Sequence, residues 1–419
     1  MDNHSIYTTV PQLRFPEFLN DGEWEVKRLG EIAERITRKN KNNHPLPVLT
    51  NSATEGVVNQ QDYFDREIVT KDNLTNYHII ELDDFVYNPR ISVAAPVGPI
   101  SRNKVGLGNM SPLYTIFRFK EGNIDFFEQY FRTNCWHQYL KDKANFGARF
   151  DRMNISSEDF LNLPIPFPPL AEQQRIAACL SAADEMITAT KGKLEQLKAY
   201  KKGLIQKLFP VKGKNLPELR FKEFEKDGEW EEKKLGEVTK VVNRRNKSNR
   251  NLPIYSISNK EGFILQSEQF DGLDSVSRGY DISLYKIVTS HNFAYNPARI
   301  NVGSIGYSGN IKECLVSSLY VCFKTTEEID DLFLMYFFDT LSFNQSVENN
   351  VEGGIRAYLF YENFSKIKIL FPSILEQKRI ASCLKAVDEE INAVSDRASE
   401  LEKQKKGLMQ KLFPITKNN

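Results

Sequence analysis

The chain is written twice, and that constrains it to two copies of one domain plan rather than one large core or a solenoid of small units. Leu13–Phe18 (LRFPEF) recurs 206 positions on as Leu219–Phe224 (LRFKEF). Asp21–Ile32 (DGEWEVKRLGEI) returns as Asp227–Val238 (DGEWEEKKLGEV) at the same displacement. Arg38–Asn43 (RKNKNN) answers Arg244–Asn249 (RRNKSN), Tyr87–Ile91 (YNPRI) answers Tyr295–Ile300 (YNPARI), and Ser111-x-x-Tyr114 answers Ser317-x-x-Tyr320. Glu172–Leu180 (EQQRIAACL) comes back as Glu376–Leu384 (EQKRIASCL), and QKLFP closes both copies at Gln206–Pro210 and Gln410–Pro414.

The match is uneven. Asn51–Ile80 against Ile257–Lys286, and Gly122–Ala148 against Thr326–Glu352, share almost nothing. One scaffold with two different faces suits a molecule that recognises two different things; drift in surface loops is the plainer alternative.

Each copy ends in a proline-free run with helical periodicity. Ile176, Leu180, Ala183, Ile187, Thr190, Leu194, Leu197, Lys201, Leu204 and Leu208 alternate in steps of four and three. Ile380, Leu384, Val387, Ile391, Val394, Ala398, Leu401, Lys405, Leu408 and Leu412 follow the same register. A narrow heptad stripe wants a helical partner, and the chain supplies one. Lys201 and Lys405 interrupt the stripe at equivalent points, either snorkelling their charge or fixing register.

The spacing therefore predicts a globular unit at 1–165, a long helix at 166–210, a linker at 211–226, a second unit at 227–370, and a second helix with its tail at 371–419. An antiparallel coiled coil of rods roughly 55 Å long would put one unit at each end, a pseudo-two-fold dumbbell. Within the units, Phe85–Asn88, Leu113–Phe119, Phe293–Asn296 and Ser318–Lys324 read as strands. Glu31–Thr37, Asp125–Leu140 and Asp331–Leu341 read as helices. The expected fold class is α+β around a strongly bent sheet.

Composition narrows the chemistry. Lys and Arg total 56 against 55 Asp and Glu, so no overall field draws the chain to a polyanion, and any such surface must be local. The five scattered cysteines and five dispersed histidines offer no metal cluster and no disulfide framework. With a polar start and no apolar run near the roughly 20 residues that span a bilayer, a cytoplasmic protein is expected. No phosphate loop, dinucleotide fingerprint or H-E-x-x-H is present, so no catalytic residue is assigned. Tyr87-Asn88-Pro89-Arg90 lacks the second proline and the aromatic of an amino-methyltransferase motif, and reads as a strand end followed by a turn.

The repeated basic residues remain. Arg38, Lys39 and Lys41 match Arg244, Arg245 and Lys247, and Arg90 and Arg299 follow the two YNP turns. Arg149 and Arg152 are answered in part by Arg356. Such residues on loops hold phosphates and read base edges; singly, each run could equally be a solvated charged loop.

Taken together, the W-x-x-x-x-L-G-E openings (Trp24–Glu31, Trp230–Glu237), the YNP strand ends, the S-x-x-Y segments, the P-x-x-x-E-Q-x-x-I junctions (Pro168–Ile176, Pro372–Ile380) and the two-copy plan resemble the specificity subunits of type I restriction-modification enzymes. The resemblance covers nearly the whole chain. It implies that each variable domain reads one half of a split double-stranded DNA site and that the helices set the unread spacer. It implies two methyltransferase subunits as partners and, through them, translocase-nuclease subunits. S-adenosylmethionine, ATP and magnesium would then belong to those partners, and this chain would carry no cofactor and no membrane contact. By the same resemblance the junctions containing the partner-binding candidates Glu172, Gln173, Arg175, Glu376, Gln377 and Arg379 lie near the partner-binding region. The second junction departs from the first, with Ser373-Ile374-Leu375 where the first has Pro169-Leu170-Ala171. Two other classes fit the residues. A two-ended protein scaffold would show no DNA-induced shift at low salt, and a DNA-modifying enzyme would methylate or cleave by itself.

Overall fold

The computed structural model describes residues 10–63, 71–144, 151–350 and 358–414. The chain divides into two compact α+β units, Met1–Lys191 with Asp396–Asn419, and Gly192–Ser395.

In the first unit Ala33–Ile36, Thr115–Phe119, Phe85–Tyr87 and Ile100–Arg102 form, in that order, an antiparallel four-stranded sheet. A second four-stranded sheet runs Gly56–Asn59, Val48–Ser52, Gly108–Met110, His78–Ile80, with the central pair parallel. Glu25–Arg28 pairs with Pro164–Phe167 where the domain opens and closes. Strand side chains alternate between faces, and here both faces are used. Phe85, Tyr87 and Phe117 enter the aromatic core against the helices. Val86 and Ile116 enter a smaller core with Leu49, Val57, Ile80 and Met110 of the second sheet. The first sheet is thus the middle layer.

The second unit repeats this topology strand for strand. Thr239–Val241, Val321–Thr325, Phe293–Tyr295 and Ile305–Tyr307 form one sheet; Gly262–Leu265, Ile254–Ser258, Glu313–Val316 and Lys286–Thr289 form the other. Phe293, Tyr295 and Phe323 face the large core, while Ala294 and Cys322 face the small one. The strand order recurs although the sequence of Ile257–Lys286 does not.

Several expected elements are different. Glu31–Thr37 is not a helix: a single turn at Leu29–Ile32 gives way to the strand Ala33–Ile36. Gly30 in that turn lies against Leu161, so that an added Cβ would meet its Cβ at 3.2 Å, and Leu29 N–H donates to the Leu163 carbonyl. Docking sets the backbone there, not helical propensity. Asp125–Leu140 is two helices, Ile124–Phe131 and His137–Lys143, broken where the Thr133 hydroxyl bonds the Tyr130 carbonyl. Asp331–Leu341 splits likewise, with a helix at Asp331–Phe337 and another from Leu341. The S-x-x-Y segments are turns in which Tyr114 and Tyr320 N–H bond Ser111 and Ser317 carbonyls, with the strands starting just after. Two separate four-stranded sheets replace the expected single bent one.

Leu170–Leu208 and Ile374–Leu412 are continuous helices of 39 residues each. Their ends carry a feature the repeat conceals. The first unit's core takes Ile176, Ala177 and Leu180 from the first helix, but also Leu412 and Phe413 from the end of the second. Phe413 sits 5.4 Å from Phe126 and 5.8 Å from Tyr130, centroid to centroid. The second unit takes Ile380, Ala381 and Leu384, and with them Leu204, Ile205, Leu208 and Phe209. Each QKLFP therefore completes the core of the other copy.

The seam lysines find partners. Lys405 Nζ lies 2.6 Å from Asp184, and Lys201 Nζ 2.7 Å from Asp388, each pair within one unit. Asp184 also accepts from Gln129 Nε2 at 3.0 Å and Arg132 at 2.8 Å. Burial alone would raise its pKa, but the bond from Lys405 and those from Gln129 and Arg132 outweigh it and hold the carboxyl below its ordinary value. A depressed carboxylate stabilises the fold above its unfolded pKa and loses that contribution as pH falls through the folded one. Asp184→Asn is expected to cost about 1–2 kcal/mol at neutral pH, with the gap from wild type closing below about pH 4. Denaturant titrations across pH check this; a gap independent of pH would remove the ion pair from the account.

Candidate nucleic-acid interface

The basic clusters sit on two copies of one turn. In the first, Asn40 is fully buried: its Nδ2 donates to the His44 carbonyl and to Asn109 Oδ1, and its Oδ1 accepts from His44 N–H. Asn43 closes the turn at φ 48°, a left-handed conformation that asparagine tolerates. In the second, Asn246 bonds Arg250 through both backbone groups, and Asn249 has φ 49°. This frame leaves Arg38, Lys39 and Lys41, and Arg244, Arg245 and Lys247, exposed. Arg38 pairs with Glu81 and Arg244 with Glu313, both at 3.1 Å. The other four make no ion pair among the described residues. Each turn is tied to the second sheet, Ile79 N–H donating to the Arg38 carbonyl and Ile287 N–H to that of Arg244.

The YNP turns present an arginine each. Tyr87 is buried and its hydroxyl donates to the Val97 carbonyl. Asn88 Nδ2 donates to the Asn51 carbonyl, and its Oδ1 accepts from Arg90 N–H. Gly98 closes the loop at φ 82°, where a Cβ would fall 2.1 Å from the Asn88 carbonyl oxygen, so only glycine fits. Arg90 is exposed and bridges by backbone to Arg152, bringing two of the expected DNA-contacting residues together. Arg299 stands exposed after the second turn, where Asn296 Oδ1 caps Ala298 N–H. Arg149 and Arg356 lie outside the described residues.

A further arginine carries no repeat signature and is visible only in the fold. Arg278, in the variable middle of the second unit, packs over the rings of Phe270 and Tyr280, its guanidinium carbon 4.7 and 5.5 Å from their centroids. Its sequence signal is an arginine interleaved with aromatics in a segment without a counterpart in the other copy.

At the junctions, which are expected near the partner-binding region, Glu172 and Gln173 are buried, as are Glu376 and Gln377. Glu172 accepts two bonds of 2.8 Å from Arg14 and one of 3.0 Å from Trp24 Nε1. Gln173 accepts from Asn123 N–H and donates to the Pro168 carbonyl. In the second unit Arg220 clasps Glu376, and Gln377 bonds Asp330 N–H and the Pro372 carbonyl. Trp230 Nε1, by contrast with Trp24, has no acceptor among the described residues. These four residues lock each domain onto its long helix. Arg175 and Arg379 are the exposed members, held by Glu17 and Glu223 and lying over Phe15 and Phe221. This explains the repeated LRFxEF: Arg, Phe and Glu all serve the junction, and the Leu13 and Leu219 N–H groups cap the Lys411 and Lys207 carbonyls at the helix ends.

Three groups elsewhere are shifted by burial. Burial pushes the Cys314 and Cys322 thiols up to about 12 and holds His137 down to about 4. Among the described residues no cluster of three His, Cys, Asp or Glu is placed to hold a metal ion, and no helix is long and apolar enough to cross a membrane.

The model of the type I restriction modification DNA specificity domain matches residues 21–199 and again 227–403. The chain is 25% identical to the putative type I restriction enzyme MjaX specificity subunit of Methanocaldococcus jannaschii, over 93% of each. It is 26% identical to the MjaVIII specificity subunit of the same organism, over 96% of this chain and 93% of that one. Its fold is similar to the crystal structure of the type I restriction-modification system S subunit from M. genitalium, with TM-score 0.57 and 14% identity over 97% of this chain and 100% of that one. It is also similar to a chain from a study of complex assembly and conformational transition of the type I R-M system, with TM-score 0.54 and 16% identity over 93% of this chain and 97% of that one.

Proposed function

Because the chain belongs to the type I restriction-modification DNA specificity family, with a specificity domain in each half, we propose that each unit reads one half of a split double-stranded DNA site. The observation that carries this is the pair of exposed basic turns built on the same buried asparagine, beside loops that differ between the units. A shared phosphate grip next to unshared side chains is what two different half-sites require.

The two long helices pair as an antiparallel coiled coil that sets the unread spacer. The ion pairs support this reading: from Asp184 to Lys191 along one helix, the partners on the other go back from Lys405 to Glu402. The recognition domains occupy 1–165 and 227–370, joined by the helices and the linker at 211–226. The subunit recruits two methyltransferase subunits, and through them translocase-nuclease subunits, in the cytoplasm. Arg175 and Arg379 are the junction residues available to a partner. The chain is not itself catalytic, and S-adenosylmethionine, ATP and magnesium are handled by the partners.

Replacing Arg38, Lys39 and Lys41 together by alanine is expected to weaken binding to every duplex and to reduce the slope of log K against log salt by roughly 0.9 for each phosphate left without its cation. Changing Arg90 or Arg299 instead relaxes a single half-site. Titrations of the assembled methyltransferase at several salt concentrations check this, and an unchanged slope in the triple variant would take the turn off the DNA. Methyl transfer by the rigorously purified chain alone would overturn its non-catalytic role.

A further inference from the structure

Gln266–Tyr285 of the second unit is an ordered module. Gln266 Oε1, in a buried residue, accepts from both the backbone N–H and the hydroxyl of Ser275, and the Tyr285 hydroxyl donates to the same serine. Asp274 and Ser277 cap each other, and Ile282 packs into a core with Ile254, Ile287 and Leu315. The module is fastened to the basic turn: Asn246 N–H donates to the Tyr285 carbonyl, and Arg245 bridges Lys286. On its exposed side Arg278 lies over the rings of Phe270 and Tyr280, its Nε donating to the Asp274 carbonyl. The Asp274 carboxylate interacts with it electrostatically, but no carboxylate lies within ion-pair distance of it among the described residues. Phe270 and Tyr280 are 38% and 60% exposed, a large aromatic surface for a loop to leave in water.

Packing against two aromatic rings restrains the guanidinium and removes much of the rotamer entropy that a free arginine would lose on binding. What remains free is the edge with the two terminal nitrogens, which matches the O6 and N7 acceptors of guanine in the major groove. The same edge can also clasp a phosphate, and the test below separates the two outcomes. We infer that Arg278 is a specificity-determining residue of the second unit and reads a guanine in the half-site that this unit contacts. The assignment rests on the bipartite reading proposed above.

The test is the genomic methylation pattern left by the full complex carrying wild type, Arg278→Ala or Arg278→Lys, with melting curves of each subunit. The expected result is one guanine of one half-site becoming degenerate, discrimination there falling roughly 5- to 150-fold, with the other half-site intact. Arg278→Lys keeps the charge and folds like wild type, yet relaxes the same base. An unchanged motif in both variants overturns the assignment, as does a relaxed position that is not G·C. Uniformly weaker methylation with the motif kept makes Arg278 a phosphate contact, which also overturns it. A wild-type complex without a bipartite motif overturns instead the reading beneath it.

Discussion

Glu172→Ala is expected to destabilise the first unit by about 3–5 kcal/mol, because it leaves a buried arginine without its counter-charge. The Arg14 and Glu172 side chains are only 5% and 1% exposed. Arg14 also donates to the Asp21 and Gly22 carbonyls and cannot swing to water without breaking those bonds. The Trp24 indole N–H loses its acceptor in the same change. The double variant Arg14→Met with Glu172→Met is expected to recover most of the loss, since removing both charges also removes their desolvation cost. Glu376→Ala in the second unit should repeat the effect through Arg220. Denaturant unfolding measures all of these. A Glu172→Ala chain within about 1 kcal/mol of wild type, below the range for a broken buried pair, would show that the junction is not the lock described.

A fragment ending near Pro210 is expected to be a dimer. It lacks Leu412 and Phe413, which fill the core of its own domain, but it carries Leu204, Leu208 and Phe209, their counterparts from the other copy. Two fragments can each donate that helix end to the other, an exchange of identical elements with two-fold symmetry. With methyltransferase subunits such a dimer should read a palindrome made of the first half-site twice. Phe209→Ala should weaken the dimer sharply, since deleting a buried Phe typically costs about 3–5 kcal/mol at each of the two sites. Sedimentation at micromolar concentration checks both statements. A stable monomer would contradict the exchange.

These two expectations show where the sequence was readable. Residues that the scaffold needs twice are written twice: Asn40 with Asn246, Arg14 with Arg220, Gly30 with Gly236. The duplicated plan, both long helices and the basic turns were therefore visible without coordinates. What the buried Glu172 does was not, because its partner lies 158 residues away and an isolated Glu-Gln at a helix start looks like surface. The pairing of Arg14/Arg220 with Glu172/Glu376 was a usable signal only once the helix was known to fold back onto LRF. The helix expected at Glu31–Thr37 failed for a related reason. Its apolar residues, Ile32, Ala33 and Ile36, satisfy a helical spacing, but packing from Leu161 and a bond to Leu163 turn the backbone into a strand. Arg278 escaped notice because its contact with Phe270 and Tyr280 depends on the fold of a variable segment whose sequence is not repeated in the other copy.

If two domains on one chain read two half-sites at a set distance, as we propose, methylome sequencing of the host with this gene intact and deleted will show it. The expected motif vanishes on deletion and is made of two short specific segments separated by a fixed run of unread bases. A chain-dependent motif that is contiguous, or a methylome unchanged by the deletion in a strain that expresses the assembled complex, would contradict that reading.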